Sequence, residues 1–290
     1  MSTNVTSAVD KIIKLAIVVG EGDLPNYVIE SVKKKNIPYV VITFDGIKSR
    51  VITKRSSIFR ASFENISSLF ERLLYEKIDS VVFCGAMRRP KLNFLSMDLD
   101  SQKILSPILE SFKKGDDSLF RAIISVFEAR GIRTVSLGDL LPSLTQKEGF
   151  LTTHKPSKMD IYDAKSAEKL WENIGSIDVG QGLIVAKGLC IAIETLPGTD
   201  AMLDFVKKNN RLFKDTDSKR NGILYKAPKI DQTNLVDLPA IGPETIVGVD
   251  KARLSGIVIR DRGVLIIDKK KTISLANQQG IFVWSRKVGS

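Results

Sequence analysis

Apolar and polar positions follow each other in blocks that predict strands alternating with helices. Residues 14–20 and 37–43 are apolar runs of the length expected for buried strands, and residues 27–35 between them have apolar positions at helical spacing. Residues 20–25, which contain two glycines and a proline, predict the turn between the first strand and the helix. A strand, turn, helix and strand in this order are typical of a doubly wound parallel sheet, so we expect a Rossmann-like domain of the α/β class.

The same alternation continues and divides the chain into two parts. Further elements of the first part are predicted as helices at 62–76, 99–113 and 118–130 and strands at 79–85 and 132–135. From residue 143 to residue 160 the chain becomes rich in Ser, Thr, Pro and Lys. We place the domain boundary here, which gives a nucleotide-binding domain over 12–142 and a second α/β domain over 143–290. In the second domain, helices are predicted at 161–174, 201–208, 244–254 and 271–279, and strands at 183–186, 189–194, 222–225, 257–259, 264–267 and 281–284.

The balance of charges favours anionic partners. The formal net charge is +11, which suits phosphate ligands, anionic lipid or nucleic acid. The aromatic residues are not interleaved with the basic ones as in an RNA-binding surface, so we do not expect a nucleic-acid partner. The sequence has no apolar run long enough to span a bilayer and no signal peptide, so we expect a cytoplasmic protein.

Cysteine and histidine offer little chemistry in this chain. Cys84 and Cys190 both lie in apolar, strand-like runs, and we predict that both are small core residues in a reducing compartment. His154 is the one histidine. A single histidine cannot form a histidine-based metal cluster, and a Ser/His/Asp triad would have to use this one loop residue.

Glycines and cations follow the first and third predicted strands. Gly20 and Gly22 end the first strand, and Arg88 and Arg89 come after the third. Because the carboxyl ends of parallel strands share one edge of a sheet, we expect these residues to line the nucleotide part of a cleft. The first turn is not a G-x-G-x-x-G, which argues against a nicotinamide-type dinucleotide. The alternatives are a tight turn for the glycines and a basic surface loop for the arginines.

Carboxylates gather at the ends of elements in the second domain. The set comprises Asp178, Glu194, Asp200, Asp237 and Glu244, with Lys226 and Lys229 nearby in the sequence. Oxygen ligands without histidine or cysteine suit Mg²⁺ or Mn²⁺. Asp200 has a plainer alternative, since it or Thr199 could cap the helix that follows.

Residues 226–245 form an irregular segment in which three prolines restrict the backbone. Gly242-Pro243-Glu244 is typical of a helix start, with Pro243 at the first helical position. Asp237 then lies on a rigid approach to a helix N-terminus, which is a suitable support for a catalytic carboxylate. The alternative is a solvated loop that links two elements.

Taken together, these motifs resemble the LpxI family of UDP-2,3-diacylglucosamine pyrophosphatases. In the first domain the matching residues are Gly20-Glu-Gly-Asp-Leu-Pro25 and Arg88-Arg-Pro90. In the second domain they are Ile177-Asp-Val-Gly-Gln181, Glu194, Gly198-Thr-Asp-Ala-Met202, Lys226, Pro228-Lys229, Val236-Asp-Leu-Pro239, Ile241-Gly242, Leu254-Ser-Gly-Ile257 and Gly280-Ile-Phe-Val283. The resemblance covers nearly the whole chain.

The resemblance implies a hydrolase of lipid A biosynthesis, in which water cleaves the pyrophosphate of UDP-2,3-diacylglucosamine to UMP and 2,3-diacylglucosamine 1-phosphate (lipid X). It implies catalytic roles for Asp237 and Lys226 and a metal role for Asp200 and Glu194, with Mg²⁺ or Mn²⁺ as the cofactor. The residues that it implies for substrate binding are Gly20, Gly22, Arg88, Arg89, Asp178, Gln181, Thr199 and Lys229. The lipid substrate and the basic charge imply peripheral association with the inner membrane, and assembly into a homo-oligomer is left open.

A different class of protein also accounts for part of the sequence. A doubly wound nucleotide-binding domain fused to a regulatory or nucleic-acid-binding module would explain the glycines and the positive charge. It would not explain several carboxylates at element ends in the second domain. Incubation of the protein with UDP-2,3-diacylglucosamine and Mg²⁺ distinguishes the two classes.

Overall fold

The computed structural model of the protein describes residues 8–87, 93–111, 116–174, 179–209, 220–229 and 238–289. Within these residues the chain forms two compact units that divide between Leu141 and Pro142. Each unit consists of a sheet covered by helices, so both belong to the α/β class. No helix in the described ranges is long and apolar enough to cross a bilayer.

The first unit is built on a five-stranded parallel sheet in the order β3-β2-β1-β4-β5. The strands are β1 (Leu15–Val19), β2 (Tyr39–Phe44), β3 (Ile58–Ala61), β4 (Ser80–Cys84) and β5 (Arg133–Thr134), and the helices are α1 (Leu24–Lys34), α2 (Ile66–Tyr75), α3 (Leu99–Ser111), α4 (Asp116–Glu128) and α5 (Leu137–Leu140). This order confirms the predicted doubly wound parallel sheet. The sequence analysis missed β3, a four-residue strand that carries a polar Arg60 and follows a long loop.

Helices cover both faces of this sheet because their apolar positions fall on one side. In α2, Ile66, Leu69, Phe70 and Leu73 recur at helical spacing and are buried. They join residues of α3 and α4 in one core cluster against β1, β2 and β4. On the other face, α1 is tied to α5 by the Ser31 hydroxyl, which donates to the carbonyl oxygen of Leu140 at 2.6 Å.

Strand order creates a natural ligand position in the first unit. From β1 the chain winds to β2 and β3 on one side of the sheet, and it then returns to β4 on the other side of β1. The loops after β1 and β4 therefore flank the point at which the winding reverses. In open α/β sheets, ligands bind outside the carboxyl ends of the strands at this point.

The second unit is built on a six-stranded mixed sheet in the order β6-β13-β11-β9-β7-β8. Its strands are β6 (Gly149–Phe150), β7 (Gly182–Ala186), β8 (Leu189–Ile193), β9 (Ile223–Lys226), β11 (Gly256–Arg260) and β13 (Phe282–Arg286), and its helices are α6 (Lys158–Ile174), α7 (Gly198–Asn209), α8 (Pro243–Lys251) and α9 (Lys269–Gln278). Strands β9, β11 and β13 are parallel, whereas β6, β7 and β8 are each antiparallel to a neighbour. A separate parallel pair is formed by β10 (Ala240–Ile241) and β12 (Leu265–Ile266).

Side chains alternate between the two faces of the sheet in this unit and pack into two separate cores. In β11, Ile257 and Ile259 face the cluster that includes α7, α8 and α9, whereas Val258 faces the cluster formed with α6. The sheet is thus the middle layer of three, and the side chain of each strand residue lies on the α6 face or on the α7 face.

The two cysteines differ in burial. Cys84 is buried in β4, as predicted, and burial raises the pKa of its thiol. The prediction that Cys190 is a core residue is wrong, because Cys190 lies in β8 at the edge of the sheet and is exposed. An apolar run marks a strand but does not show whether that strand is central or at an edge.

Candidate active site

Among the described residues, the strongest candidate for an active-site residue is the buried lysine at the end of β9. Strand β9 runs Ile223, Leu224, Tyr225, Lys226, and all four residues are buried. Only 5% of the Lys226 side chain is exposed. Its ammonium donates to the Thr199 hydroxyl at 2.6 Å and lies 3.3 Å from Glu194 Oε2. A cation held this deeply needs such partners, because burial without them strongly disfavours charge.

Glu194 reaches this lysine because the β7–β8 hairpin ends at the same sheet edge. The Glu194 N–H donates to the Gly182 carbonyl oxygen at 2.8 Å, which continues the antiparallel pairing by one residue. Gly182 in turn pairs with Lys226. The start of β7, the end of β8 and the end of β9 therefore lie side by side.

Glycines beside Glu194 leave the space that its backbone and carboxylate occupy. A Cβ on Gly182 would lie 2.7 Å from Glu194 Oε2, and a Cβ on Gly180 would lie 2.7 Å from the Glu194 carbonyl carbon. Both distances are too short for real carbon atoms. Gly180 is thus required by the backbone of Glu194, and Gly182 leaves the space that the Glu194 carboxylate occupies.

The start of α7 also contributes to the site around Lys226. Helix α7 begins at Gly198, whose φ of +86° suits glycine, so Thr199 and Asp200 lie in its first turn. The prediction that Thr199 or Asp200 caps this helix is therefore wrong. The Thr199 hydroxyl contacts Lys226 instead, and Asp200 is exposed to solvent. A helix N-terminus next to a lysine favours an anionic ligand.

Two further predicted residues lie beside β9. The Gln181 carbonyl oxygen accepts a hydrogen bond from the Ala227 N–H at 3.2 Å. Lys229 follows Pro228, whose carbonyl oxygen accepts from Trp171 Nε1 at 3.1 Å, and Lys229 is half-buried. The Gln181 backbone therefore lies beside Ala227, the residue after Lys226, whereas Pro228 is held by Trp171 of the α6-face core.

Arg260 and Arg286 are cations that the sequence analysis did not single out. They are the last residues of β11 and β13 and are paired across the sheet. Arg260 Nη2 donates to the Tyr225 hydroxyl at 3.2 Å, and Arg286 Nε donates to Glu168 at 2.6 Å. Burial raises the pKa of Tyr225, although Arg260 opposes this shift.

These arginines differ from Lys226 in the face of the sheet on which they lie. Tyr225, the partner of Arg260, belongs to the cluster on the α6 face, and Glu168, the partner of Arg286, lies on α6 itself. Thr199, the partner of Lys226, lies in the first turn of α7. The arginines could have been found from sequence by the rule that selected Arg88, namely a cation directly after an apolar strand.

Loops after β1 and β4 pack directly on each other in the first unit. The Glu21 N–H donates to the Ala86 carbonyl oxygen at 2.7 Å, and the Ala86 N–H donates to the Glu21 carbonyl oxygen at 3.0 Å. A Cβ on Gly20 would lie 2.7 Å from the Gly85 carbonyl carbon and closer still to the Ala86 oxygen. Gly20 is therefore required by the neighbouring loop, whereas Gly22 is exposed and has open space around its Cα.

Other predicted site residues cannot be placed. Arg88, Arg89, Asp178 and Asp237 lie outside the described residues. The predicted helix start after Asp237 is confirmed, with Gly242 as the N-cap residue, Pro243 in the first helical position and Glu244 in the first turn of α8. In the described ranges, no three or more acids, cysteines or histidines are grouped in a way that could hold a metal ion.

Fold and site together define a class of protein. A Rossmann-like unit is followed by a second α/β unit, in which a buried lysine, a hydroxyl and a helix N-terminus meet at one edge of the sheet. Such an edge is suited to a phosphorylated ligand.

Comparison with known families identifies the particular group. The LpxI N-terminal domain model matches residues 14–144 and the LpxI C-terminal domain model matches residues 147–284. This chain therefore belongs to the LpxI family. The UDP-2,3-diacylglucosamine pyrophosphatase LpxI of Caulobacter vibrioides (strain ATCC 19089 / CIP 103742 / CB 15) is 34% identical over 215 residues, which is 74% of this chain and 77% of that protein.

Among solved structures, a CobK precorrin-6A reductase aligns with 96% of this chain and 89% of that chain. Its sequence identity is 10% and its TM-score is 0.32, which is too low to bear on fold or function.

Proposed function

We propose that the protein hydrolyses the pyrophosphate bond of UDP-2,3-diacylglucosamine and releases UMP and 2,3-diacylglucosamine 1-phosphate (lipid X) in lipid A biosynthesis. The observation that carries this proposal is that both LpxI domain models match the chain. The relative in Caulobacter vibrioides is named for the same activity. In the reaction, the water oxygen bonds to one phosphorus. The bridging oxygen leaves with the other phosphate.

Lys226 is the described residue best suited to the pyrophosphate. An ammonium carries three protons, and Lys226 donates one of them to the Thr199 hydroxyl. Glu194 Oε2 lies 3.3 Å from the same ammonium as an ion pair but accepts no hydrogen bond from the described residues. We assign another of the three protons to a phosphate oxygen, where negative charge increases in the transition state. The first turn of α7 adds backbone N–H groups with the same preference.

Asp237 is proposed to orient or deprotonate the attacking water. Its support comes from the sequence, since Val236-Asp-Leu-Pro239 is among the family motifs and Pro239 restricts the backbone after it. We assign Gln181, Thr199 and Lys229 to the sugar-phosphate part of the substrate. Gly20, Gly22, Arg88, Arg89 and Asp178 are proposed to bind the rest of the nucleotide substrate.

A divalent cation, Mg²⁺ or Mn²⁺, is proposed as the cofactor. The described residues do not form a complete metal site, since Asp200 is exposed and Glu194 faces an ammonium. Mg²⁺ is commonly held by one or two carboxylates together with substrate phosphates. Asp200 is therefore proposed as a ligand that completes its shell with the pyrophosphate, whose negative charge the cation would neutralise.

The protein is proposed to work on the cytoplasmic surface of the inner membrane without spanning it. The substrate carries two acyl chains, and the net charge of +11 favours an anionic lipid surface. Single apolar side chains also project from each unit, such as Leu95, with 98% of its surface exposed, and Leu196, with 94%.

A direct assay tests the proposed activity. The purified protein is incubated with UDP-2,3-diacylglucosamine and Mg²⁺, and UMP and the diacylglucosamine 1-phosphate are quantified. We expect both products in equal amounts. Nucleotide binding without UMP release would instead favour a regulatory module.

Removal of divalent cations tests the cofactor. We expect excess EDTA to abolish hydrolysis and added Mg²⁺ or Mn²⁺ to restore it. The same assay with Zn²⁺ or Ca²⁺ serves as the comparison. Undiminished turnover in excess EDTA would contradict the cofactor proposal and would leave the activity itself intact.

A further inference from the structure

Glu194 lies where the sequence predicted a metal ligand, but its carboxylate meets a cation. We infer that Glu194 is a positioning residue that, with Thr199, fixes the ammonium of Lys226 for the pyrophosphate. This inference rests on the proposed function for its catalytic meaning and on the structure for its geometry. The Lys226 Nζ atom lies 3.3 Å from Glu194 Oε2, and 12% of the Glu194 side chain is exposed.

Three different elements converge on the ammonium. Glu194 follows β8, Thr199 lies in the first turn of α7, and Lys226 ends β9. On the carboxylate side, the absence of a side chain on Gly182 leaves the space that Oε2 occupies, because a Cβ there would lie 2.7 Å from it. The lysine side chain thus lies between the end of the β7–β8 hairpin and a helix start.

Fixing this lysine matters because a lysine is otherwise a poor positioning group. Its four-carbon chain has many rotamers, and restricting them at the moment of reaction costs free energy. Partners already present in the free protein remove that cost before the substrate binds. The benefit should therefore appear in the catalytic step more than in substrate binding.

A metal role for Glu194 conflicts with the same contact. The Lys226 ammonium lies 3.3 Å from Oε2, and a divalent cation bound to the same oxygen would be repelled by this positive charge. In the described ranges, Glu194 also lacks the two neighbouring ligand residues that a protein-built metal group would require. Asp200 is exposed and has no such conflict.

A double-mutant cycle tests the inference through the rate. We expect Glu194→Gln to lower kcat about tenfold or more while KM changes less than about twofold. In the Lys226→Met background, Glu194→Gln should have little further effect, because the group through which it acts is gone. Single-turnover measurements with excess enzyme keep the slow variants measurable.

Thr199 provides a conservative pair for the same test. Thr199→Val keeps the shape without the hydroxyl and should lower kcat, whereas Thr199→Ser keeps the hydroxyl and should lower kcat much less than Thr199→Val does. Asp250→Asn is the matched control, because it breaks a different ion pair of this unit, with Arg220, near the amino ends of β9 and β11. It should change thermal stability without changing kcat per folded molecule.

Two readouts separate positioning from metal binding and from loss of folding. The Mg²⁺ concentration for half-maximal rate should be unchanged in Glu194→Gln. Acylation of Lys226 by an amine-reactive ester, mapped by mass spectrometry on the folded proteins, should rise several-fold in Glu194→Gln and Thr199→Val but not in Asp250→Asn. This labelling needs no turnover, so it decides the geometry even if the wild-type protein does not hydrolyse the substrate.

The inference would be overturned by any of three results. The first is Glu194→Gln and Lys226→Met effects that multiply independently. The second is a large increase in the Mg²⁺ requirement of Glu194→Gln, which would restore its metal role. The third is unchanged labelling of Lys226 in both Glu194→Gln and Thr199→Val.

Discussion

Single residues in this protein are explained by what lies beside them. Gly20 was expected to allow close approach of a ligand, but the atoms that approach it are backbone atoms of Gly85 and Ala86. Glu194 was expected to bind a metal, and its carboxylate lies 3.3 Å from the ammonium of Lys226. In both cases the residue type was informative, and its partner came from a distant part of the sequence.

Substitution of Gly20 should destabilise the first unit. Gly20→Ala would place a methyl group against the backbone of Gly85 and Ala86, so the two loops must separate and lose the Glu21–Ala86 pairing. We expect a loss of about 3 kcal/mol in the free energy of unfolding, measured by urea denaturation. Gly46→Ala is the control, since Gly46 has φ +81° but open space, and it should cost about 1 kcal/mol. Equal costs would refute the packing explanation.

Substitution of Asp237 should separate chemistry from folding. If this carboxylate orients or deprotonates water, Asp237→Ala should fold, bind the nucleotide-lipid substrate and lose roughly 100-fold or more in kcat. Melting temperature and single-turnover rate are measured together. If the variant is unstable but active per folded molecule, Asp237 is structural, and Asp200 becomes the leading candidate.

Elements in the second unit are tied together by buried polar contacts as well as by the core. The turn between β7 and β8 is held by Asp163 of α6, whose Oδ1 accepts from the Gly188 N–H at 2.6 Å. Asp163 is fully buried, and its Oδ2 has no hydrogen-bond partner among the described residues. Burial therefore raises the pKa of Asp163, and the nearby Asp160 adds to the rise.

The raised carboxyl pKa of Asp163 makes the stability of the fold depend on pH. The protonated form of Asp163 favours the fold, and its ionised form disfavours it, so the wild-type protein loses this contribution as pH rises from about 4 through the raised pKa. Asp163→Asn keeps an acceptor for the turn but cannot ionise. Relative to wild type, the unfolding free energy of the variant should therefore increase between pH 3.5 and pH 7, as measured by urea unfolding at each pH. A difference that is constant with pH would show that Asp163 carries no such penalty.

At the scale of the whole molecule, two α/β units each present a sheet edge with candidate ligand residues. The first unit has the switch point between β1 and β4, and the second has Lys226 at the end of β9. The positive charge of the chain adds a long-range field that does not depend on either site. The first test of membrane association therefore varies the charge of the lipid and the salt concentration.

Binding to lipid vesicles should follow charge and salt. We expect the protein to float with vesicles that contain anionic lipid at about 0.05 M salt and to be released at about 0.5 M, because screening shortens the range of the attraction. Neutral vesicles are the control for charge, and Leu95→Asp with Leu196→Asp tests the apolar contribution. Equal flotation with neutral and anionic vesicles at low salt would contradict the role of charge.

Local sequence patterns were sufficient for the class of fold and for most elements. Buried strands such as β1 and β4 are continuous apolar runs, and α2 has apolar residues at helical spacing, so neighbouring residues alone carry the signal. Gly242-Pro243 likewise predicted the start of α8 correctly, because proline sets its own backbone angle. The motifs that carry the resemblance to the LpxI family are local in the same sense, since each is a short run of neighbouring residues.

Strand order and side-chain contacts depended on the tertiary structure. That β1 lies between β2 and β4, that β8 is an edge strand, and that Glu194 and Thr199 meet Lys226 all follow from packing between segments far apart in the chain. Such contacts are set by the strand order, the register and the face on which each side chain lies, and hydrophobic periodicity specifies only the last of these within each element. For this reason the residues of the lysine site could be chosen from the sequence, whereas the pairing of Glu194 with Lys226 could not.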